Sequence, residues 1–163
     1  MTANPDRPAA LLFALLFLTS LACSGSNGGD QTPTQPDGTV AFETVVKTRN
    51  PSGQGSTRRE VIRDQAAWQA AWTEIQGEGS AAPAIDFGQE MVVLAAMETQ
   101  GCVAEVTIRS IVREGGGLVV DVLEAPPAPN CVCITSERPV HAVRVPLSQE
   151  PVRFTVERGQ TAC

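Results

Sequence analysis

Apolar and polar side chains alternate with a period of two through most of the chain beyond residue 38, and that spacing predicts strands. Val40, Phe42, Thr44 and Val46 fall on one face of a first strand, with Ala41, Glu43, Val45 and Lys47 on the other. The loop NPSGQGS breaks it, and residues 58–63 resume as a strand. After Asp64, a good helix N-cap, the period changes: Ala67, Trp68, Ala71, Trp72 and Ile75 recur at helical spacing until Gly77. Two Trp four residues apart on a small apolar face read as core packing. Residues 91–97, MVVLAAM, are apolar on both faces, which suits a central strand covered on one side by that helix.

Alternation then returns. Ala104, Val106, Ile108 and Val112 interleave with Glu105, Thr107, Arg109 and Arg113. Glu114 to Gly117 read as a turn, and Leu118, Val120 and Val122 come back as the second arm of a hairpin. The three glycines serve the turn; a phosphate-binding loop needs a strand-to-helix junction that a hairpin lacks. Pro126, Pro127 and Pro129 end that arm. Two more strands follow at 140–145, with His141, Val143 and Val145 on one face, and at 152–156 around Phe154. The expected class is α+β and mainly antiparallel β, a curled sheet or a small sandwich or half-barrel with one packed helix.

The N-terminus carries a different pattern. Residues 9–18, AALLFALLFL, make an apolar run of signal-peptide length, about half of what spans a bilayer. The stretch LTSLAC resembles a lipoprotein signal, in which an apolar and small-residue box ends in a cysteine that is acylated after cleavage. Ala22 matches the pattern; Ser20 stands where Leu is usual. Residues 1–22 are thus read as a lipoprotein signal peptide and Cys23 as the lipidated residue, carrying palmitate-type acyl chains; the other reading takes Ser20, Leu21 and Ala22 as a small-x-small site of ordinary secretory cleavage. Residues 24–38, SGSNGGDQTPTQPDG, offer nothing apolar to bury, so 23–38 is read as a disordered tether. As a flexible coil it spans roughly 20 Å. The folding domain is 39–163, long enough for one core without a metal.

Charge narrows the partners. The formal net charge is -6 and the leader's Asp6 and Arg7 cancel, so the domain is acidic and nucleic acid is not an expected partner. Five cysteines are an odd number, and assigning Cys23 to lipid leaves Cys102, Cys131, Cys133 and Cys163 for disulfides in an oxidising envelope. Cys131 and Cys133 share a strand face and do not easily bond each other. A hairpin turning at Gly115 and Gly116 sets Cys102 nearest Cys131, which leaves Cys133 for Cys163; the swapped pairing lies only two residues away. The other reading of these residues is a redox or soft-metal role for the Cys131/Cys133 pair, with His141 as a further ligand. His141 beside Val143 and Val145 reads instead as a satisfied core histidine, so no metal or other cofactor is expected.

No enzyme is expected either. The carboxylates are scattered singly, the only histidine sits on an apolar face, and Ser136, His141 and Asp121 could be named as a triad without anything to bring them together.

From about Arg58 to Val156 the order of segments resembles the PrcB C-terminal domain family, named for a lipoprotein subunit of a bacterial surface protease complex. The resemblance rests on EVIRDQAAW with its second Trp, IDFGQEMVV, the hairpin with LVVDVLEAPPAP, and PVHAVRVPL followed by PVRF. Where members often carry Gly-Gly-Tyr this chain has Gln100, Gly101 and Cys102, a cysteine-containing branch. The resemblance implies a non-catalytic, lipid-anchored module of the cell envelope, facing the periplasm or exterior. Its partners are then the membrane and a protein such as an envelope protease or its complex.

Overall fold

The computed structural model describes residues 38–49, 55–101, 103–132, 134 and 136–163. The signal peptide, Cys23 and nearly all of the tether lie outside them, as do Cys102 and Cys133.

Among the described residues seven strands and one helix follow in the order β1 (Glu43–Thr48), β2 (Arg58–Ile62), α1 (Gln65–Gln76), β3 (Glu90–Ala96), β4 (Glu105–Glu114), β5 (Gly117–Ala125), β6 (Val140–Pro146) and β7 (Val152–Arg158). They form two sheets rather than a closed barrel. Four strands pair in the order β1-β6-β3-β2, all antiparallel, and three in the order β4-β5-β7, where β7 runs parallel to β5. The α+β class thus holds, as two sheets with a single helix.

The continuous apolar run expected to be a central strand is one. Alternate residues of β3 serve two cores: Met91, Val93 and Ala95 face the three-stranded sheet with Val106, Ile108, Leu118, Val120, Val122, Val143 and Val145. Val92, Leu94 and Ala96 face the helix with Trp68, Ala71, Ile75, Val140 and Ala142. Burial on both sides is why no polar residue interrupts residues 91–97.

The helix has the ends its sequence announces. Asp64 Oδ1 accepts the Ala67 N–H at 2.8 Å, and the Gly77 N–H closes on the Thr73 carbonyl at 2.8 Å. Trp68 is fully buried and its Nε1 donates to the Pro83 carbonyl at 3.0 Å, while Trp72 packs on it with ring centroids 5.4 Å apart. Both Trp are core residues, whereas Ala67, on the same expected stripe, is exposed. The hairpin turns at Gly115 and Gly116, with φ of 61° and 75°, values that a side chain disfavours in the tight turn between β4 and β5.

Two one-residue bulges correct the alternation read from sequence. In β1 the register shifts between Thr44 and Val46. Val40, Phe42 and Thr44 therefore face the inter-sheet side as expected, but Val46 joins Val45 against the helix-side core. In β4 the shift falls between Ile108 and Ser110, so the buried face passes from even to odd positions and Ile111 is buried where Val112 was expected. An extra residue turns every later side chain to the opposite face. The first strand is also shorter than expected: Thr39 bridges Val112 of β4, and the Val40 N–H donates to the Ile111 carbonyl at 2.8 Å. Residues 39 and 40 thus pair with one sheet before the chain crosses to the other at β1.

Candidate functional site

Three places gather chemistry: the disulfide and its loop, the space between the sheets around His141, and the ion pairs at the end of the sandwich.

Cys131 is bonded to Cys163, with Cα atoms 5.3 Å apart. This overturns the expected pairs Cys102 with Cys131 and Cys133 with Cys163, since Cys131 and Cys163 are each other's partners. The physical reason is the parallel pairing of β5 with β7, which reading the hairpin alone did not foresee. Leu118 pairs with Val152 and Glu124 with Arg158, and the bridge between Pro127 and Thr161 keeps the same offset past both strands. The Gly159 N–H donates to the Glu124 carbonyl at 2.8 Å, the Thr161 N–H to the Pro126 carbonyl at 2.9 Å, and the Ala128 N–H to the Thr161 carbonyl at 3.3 Å. The C-terminus is thereby carried along residues 124–128 and delivered to Cys131.

Beyond that bond the chain turns outward. Val132 and Ile134 are 96% and 99% exposed, the most exposed of the large apolar side chains described. Solvated polar residues would be the ordinary occupants of such positions. The sequence carried the signal, an apolar-cysteine alternation after PPAP, but without the strand boundary it could not be told from a core strand.

His141 lies on the inter-sheet face of β6 with Val143 and Val145, 3% exposed. Its Nδ1 accepts the Ile108 backbone N–H at 2.9 Å, which leaves the proton on Nε2 to donate to Thr44 Oγ1 at 3.1 Å. Both ring nitrogens are satisfied in the neutral form. Burial, joined by the charge of Lys47 and opposed by Glu105, pushes its pKa down to about 4. The named triad does not assemble: Asp121 lies on the outer face of its sheet, where Arg109 grips both carboxylate oxygens at 2.8 and 3.0 Å. Lys47 Nζ donates to Glu105 Oε1 at 2.7 Å and Thr107 Oγ1 at 2.8 Å, at the mouth of an open cleft between β1 and β4.

Two cations, Arg59 half-buried and Arg138 buried, make ion pairs that the sequence does not announce. Arg59, on the inter-sheet face of β2, pairs with Glu124 of β5, whose side chain is 9% exposed. Arg138 is 2% exposed; its Nη1 lies 2.8 Å from Glu74 Oε1 and its Nη2 donates to the Ser56 carbonyl at 3.1 Å. Glu74 also holds Arg58. Gly55 lies against the Arg138 guanidinium so closely that a Cβ there would sit 2.3 Å from Cζ. Such pairs cannot be read from spacing, because their members lie 65 and 64 residues apart.

Among the described residues no cluster of three or more His, Cys, Asp or Glu is arranged to hold a metal ion, and no helix is long and apolar enough to cross a membrane. The chain matches no family model, no curated protein and no solved structure.

Proposed function

We propose that the chain is a non-catalytic lipoprotein of the cell envelope, held to a membrane by acyl chains on Cys23. It presents residues 39–163 as a protein-binding or assembly module of the kind the PrcB-type resemblance implies. The observation that carries the binding reading is the exposure of Val132 and Ile134 on a loop anchored by Cys131 and Cys163. Two large apolar side chains left almost wholly in water gain most by burial against a partner, about 1.5–3 kcal/mol for each fully buried. A photo-crosslinker at Ile134 in native membranes is expected to capture one specific protein, and Val132→Ser with Ile134→Ser to reduce capture without unfolding the domain. Capture of no specific protein would count against the reading. Radiolabelled palmitate is expected on the wild type and absent from Cys23→Ser.

The second reading is a redox role for the Cys131/Cys133 pair. It is favoured by the placing of the Cys131–Cys163 bond two residues from another cysteine. It predicts that mild dithiol reductant opens this bond while the domain stays folded; a bond that resists until the domain unfolds refutes it.

A further inference from the structure

The two outer strands of the three-stranded sheet are treated differently. The open side of β4 is covered: the Val40 N–H and the Ile111 carbonyl pair, the Arg113 N–H reaches the Gly38 carbonyl at 2.5 Å, and the Ile108 N–H is capped by His141. The outer side of β7 has no such cover among the described residues. Seven residues long, it runs roughly 23 Å.

Which backbone groups face outward follows from the parallel ladder. The Leu118 N–H bonds the Pro151 carbonyl and the Gly159 N–H bonds the Glu124 carbonyl, so the odd-numbered residues turn to β5. Val152, Phe154, Val156 and Arg158 therefore aim their N–H and C=O groups at the open edge. Their side chains lie on the inter-sheet face, where Val152 and Phe154 are partly buried and line an open groove of about 510 Å³ with Val61, Arg59 and Arg63, and Val156 is 38% exposed. The opposite face carries Arg153, Thr155 and Glu157.

We infer that β7 pairs antiparallel with β7 of a second copy about a two-fold axis at Thr155, joining two three-stranded sheets into one of six strands. The sequence VRFTVER is self-complementary about that residue. Arg153 stands opposite Glu157 of the other copy, and Glu157 opposite Arg153. On the inner face Phe154 meets Val156 and Val156 meets Phe154. The backbone parity agrees, because the pairs of even-numbered residues are those whose outward N–H and C=O groups exchange bonds, which an antiparallel pair requires at alternate positions.

Charge chooses this register over its neighbours. Centring on Phe154 would put Arg153 against Thr155 and leave Glu157 unpaired, and a slip of one residue would oppose inward-facing to outward-facing backbone groups. Edge strands are usually guarded by charge of one sign, which repels a second copy; here the guard is a cation and an anion spaced to match their own reflection. Both have room for another partner: Arg153 holds Glu114 at 3.1 Å and Arg109 holds Glu157 at 2.5 Å, yet their side chains are 58% and 60% exposed.

The test is cross-linking of the full chain in native membranes. Thr155 faces its own copy in a non-hydrogen-bonded pair, where Cα atoms sit about 4.5 Å apart, within disulfide reach. Thr155→Cys is expected to give a covalent dimer under mild oxidation. Arg158→Cys, far from the axis, is expected to give none. Adding Arg153→Glu to Thr155→Cys should lower dimer yield about tenfold, and adding Glu157→Arg as well should restore it. Persistence of the Cys131–Cys163 bond and of protease resistance shows that each variant has folded. A folded Thr155→Cys chain that stays monomeric overturns the inference. So does equal yield from Arg158→Cys, indifference to charge reversal, or coupling of Thr155→Cys to a different protein.

Discussion

The backbone N–H of Ile108 donates to Nδ1 of His141, so a side chain of one sheet caps an unpaired strand group of the other. The donor lies at the β4 bulge, where the ladder slips by one residue and Thr39 has not yet taken up its pairing at Val112. An imidazole that accepts there must stay neutral, which ties the sandwich to pH.

The sign follows from the two states. His141 titrates near 6.5 when unfolded and about 4 when folded, so between these values the unfolded chain binds the extra proton. Stability is full above pH 6.5 and is lost as pH falls toward 4. Allowing for partial solvent screening, the loss is about 2 kcal/mol. Urea denaturation of wild type and His141→Gln across this range should show a slope in the difference between them; parallel curves would show that the histidine is not the group responsible.

Arg59 and Glu124 link the same two sheets by charge. Arg59→Met strands a buried carboxylate and is expected to cost about 3 kcal/mol, whereas Arg59→Met with Glu124→Leu recovers most of that. A double-mutant cycle by chemical denaturation measures the coupling, and additive losses would deny it.

Cys163→Ser removes the bond that closes a loop of 32 residues and is expected to cost about 3 kcal/mol. The change should be local as well as global. Hydrogen exchange at the Thr161 and Ala128 amides should quicken more than at Val120, and uniform quickening would argue against a strap held mainly by the disulfide.

Gly55→Ala puts a methyl group into the Arg138 guanidinium, which is held by Glu74 and the Ser56 carbonyl and cannot easily withdraw. The expected cost is about 2 kcal/mol, as for an overpacked core. Thermal melts settle it; a neutral outcome would mean that the 55–57 segment yields instead.

The elements were legible where one local rule governed them. Asp64 and Gly77 bracket the helix, and the glycines after Glu114 make the hairpin, because capping and turn chemistry act over a few residues. Phase was harder. Val45 and Arg109 each insert one residue, and the second left a trace in the spacing of Ile108 and Ile111 that strict alternation passes over. Long-range partners were not legible at all. Whether β7 would lie beside β5, and in which direction, depends on what the other sheet leaves uncovered, and the disulfide pairing failed for that reason alone. Arg59, Arg138 and Val132 were equally hidden, since burial is a property of the assembled layers.

The parallel seat of β7 also fixes an order of assembly. The antiparallel hairpin of β4 and β5 can close as soon as both arms exist, but the other edge of β5 waits for a strand that begins 27 residues after β5 ends. Between them the chain must lay β6 into the opposite sheet. The part of the inter-sheet core that Val152 and Phe154 pack against is therefore uncovered until β7 is seated, and contacts this distant in sequence form slowly. The hairpin of β4 and β5 therefore keeps one unpaired edge for as long as β7 has still to arrive.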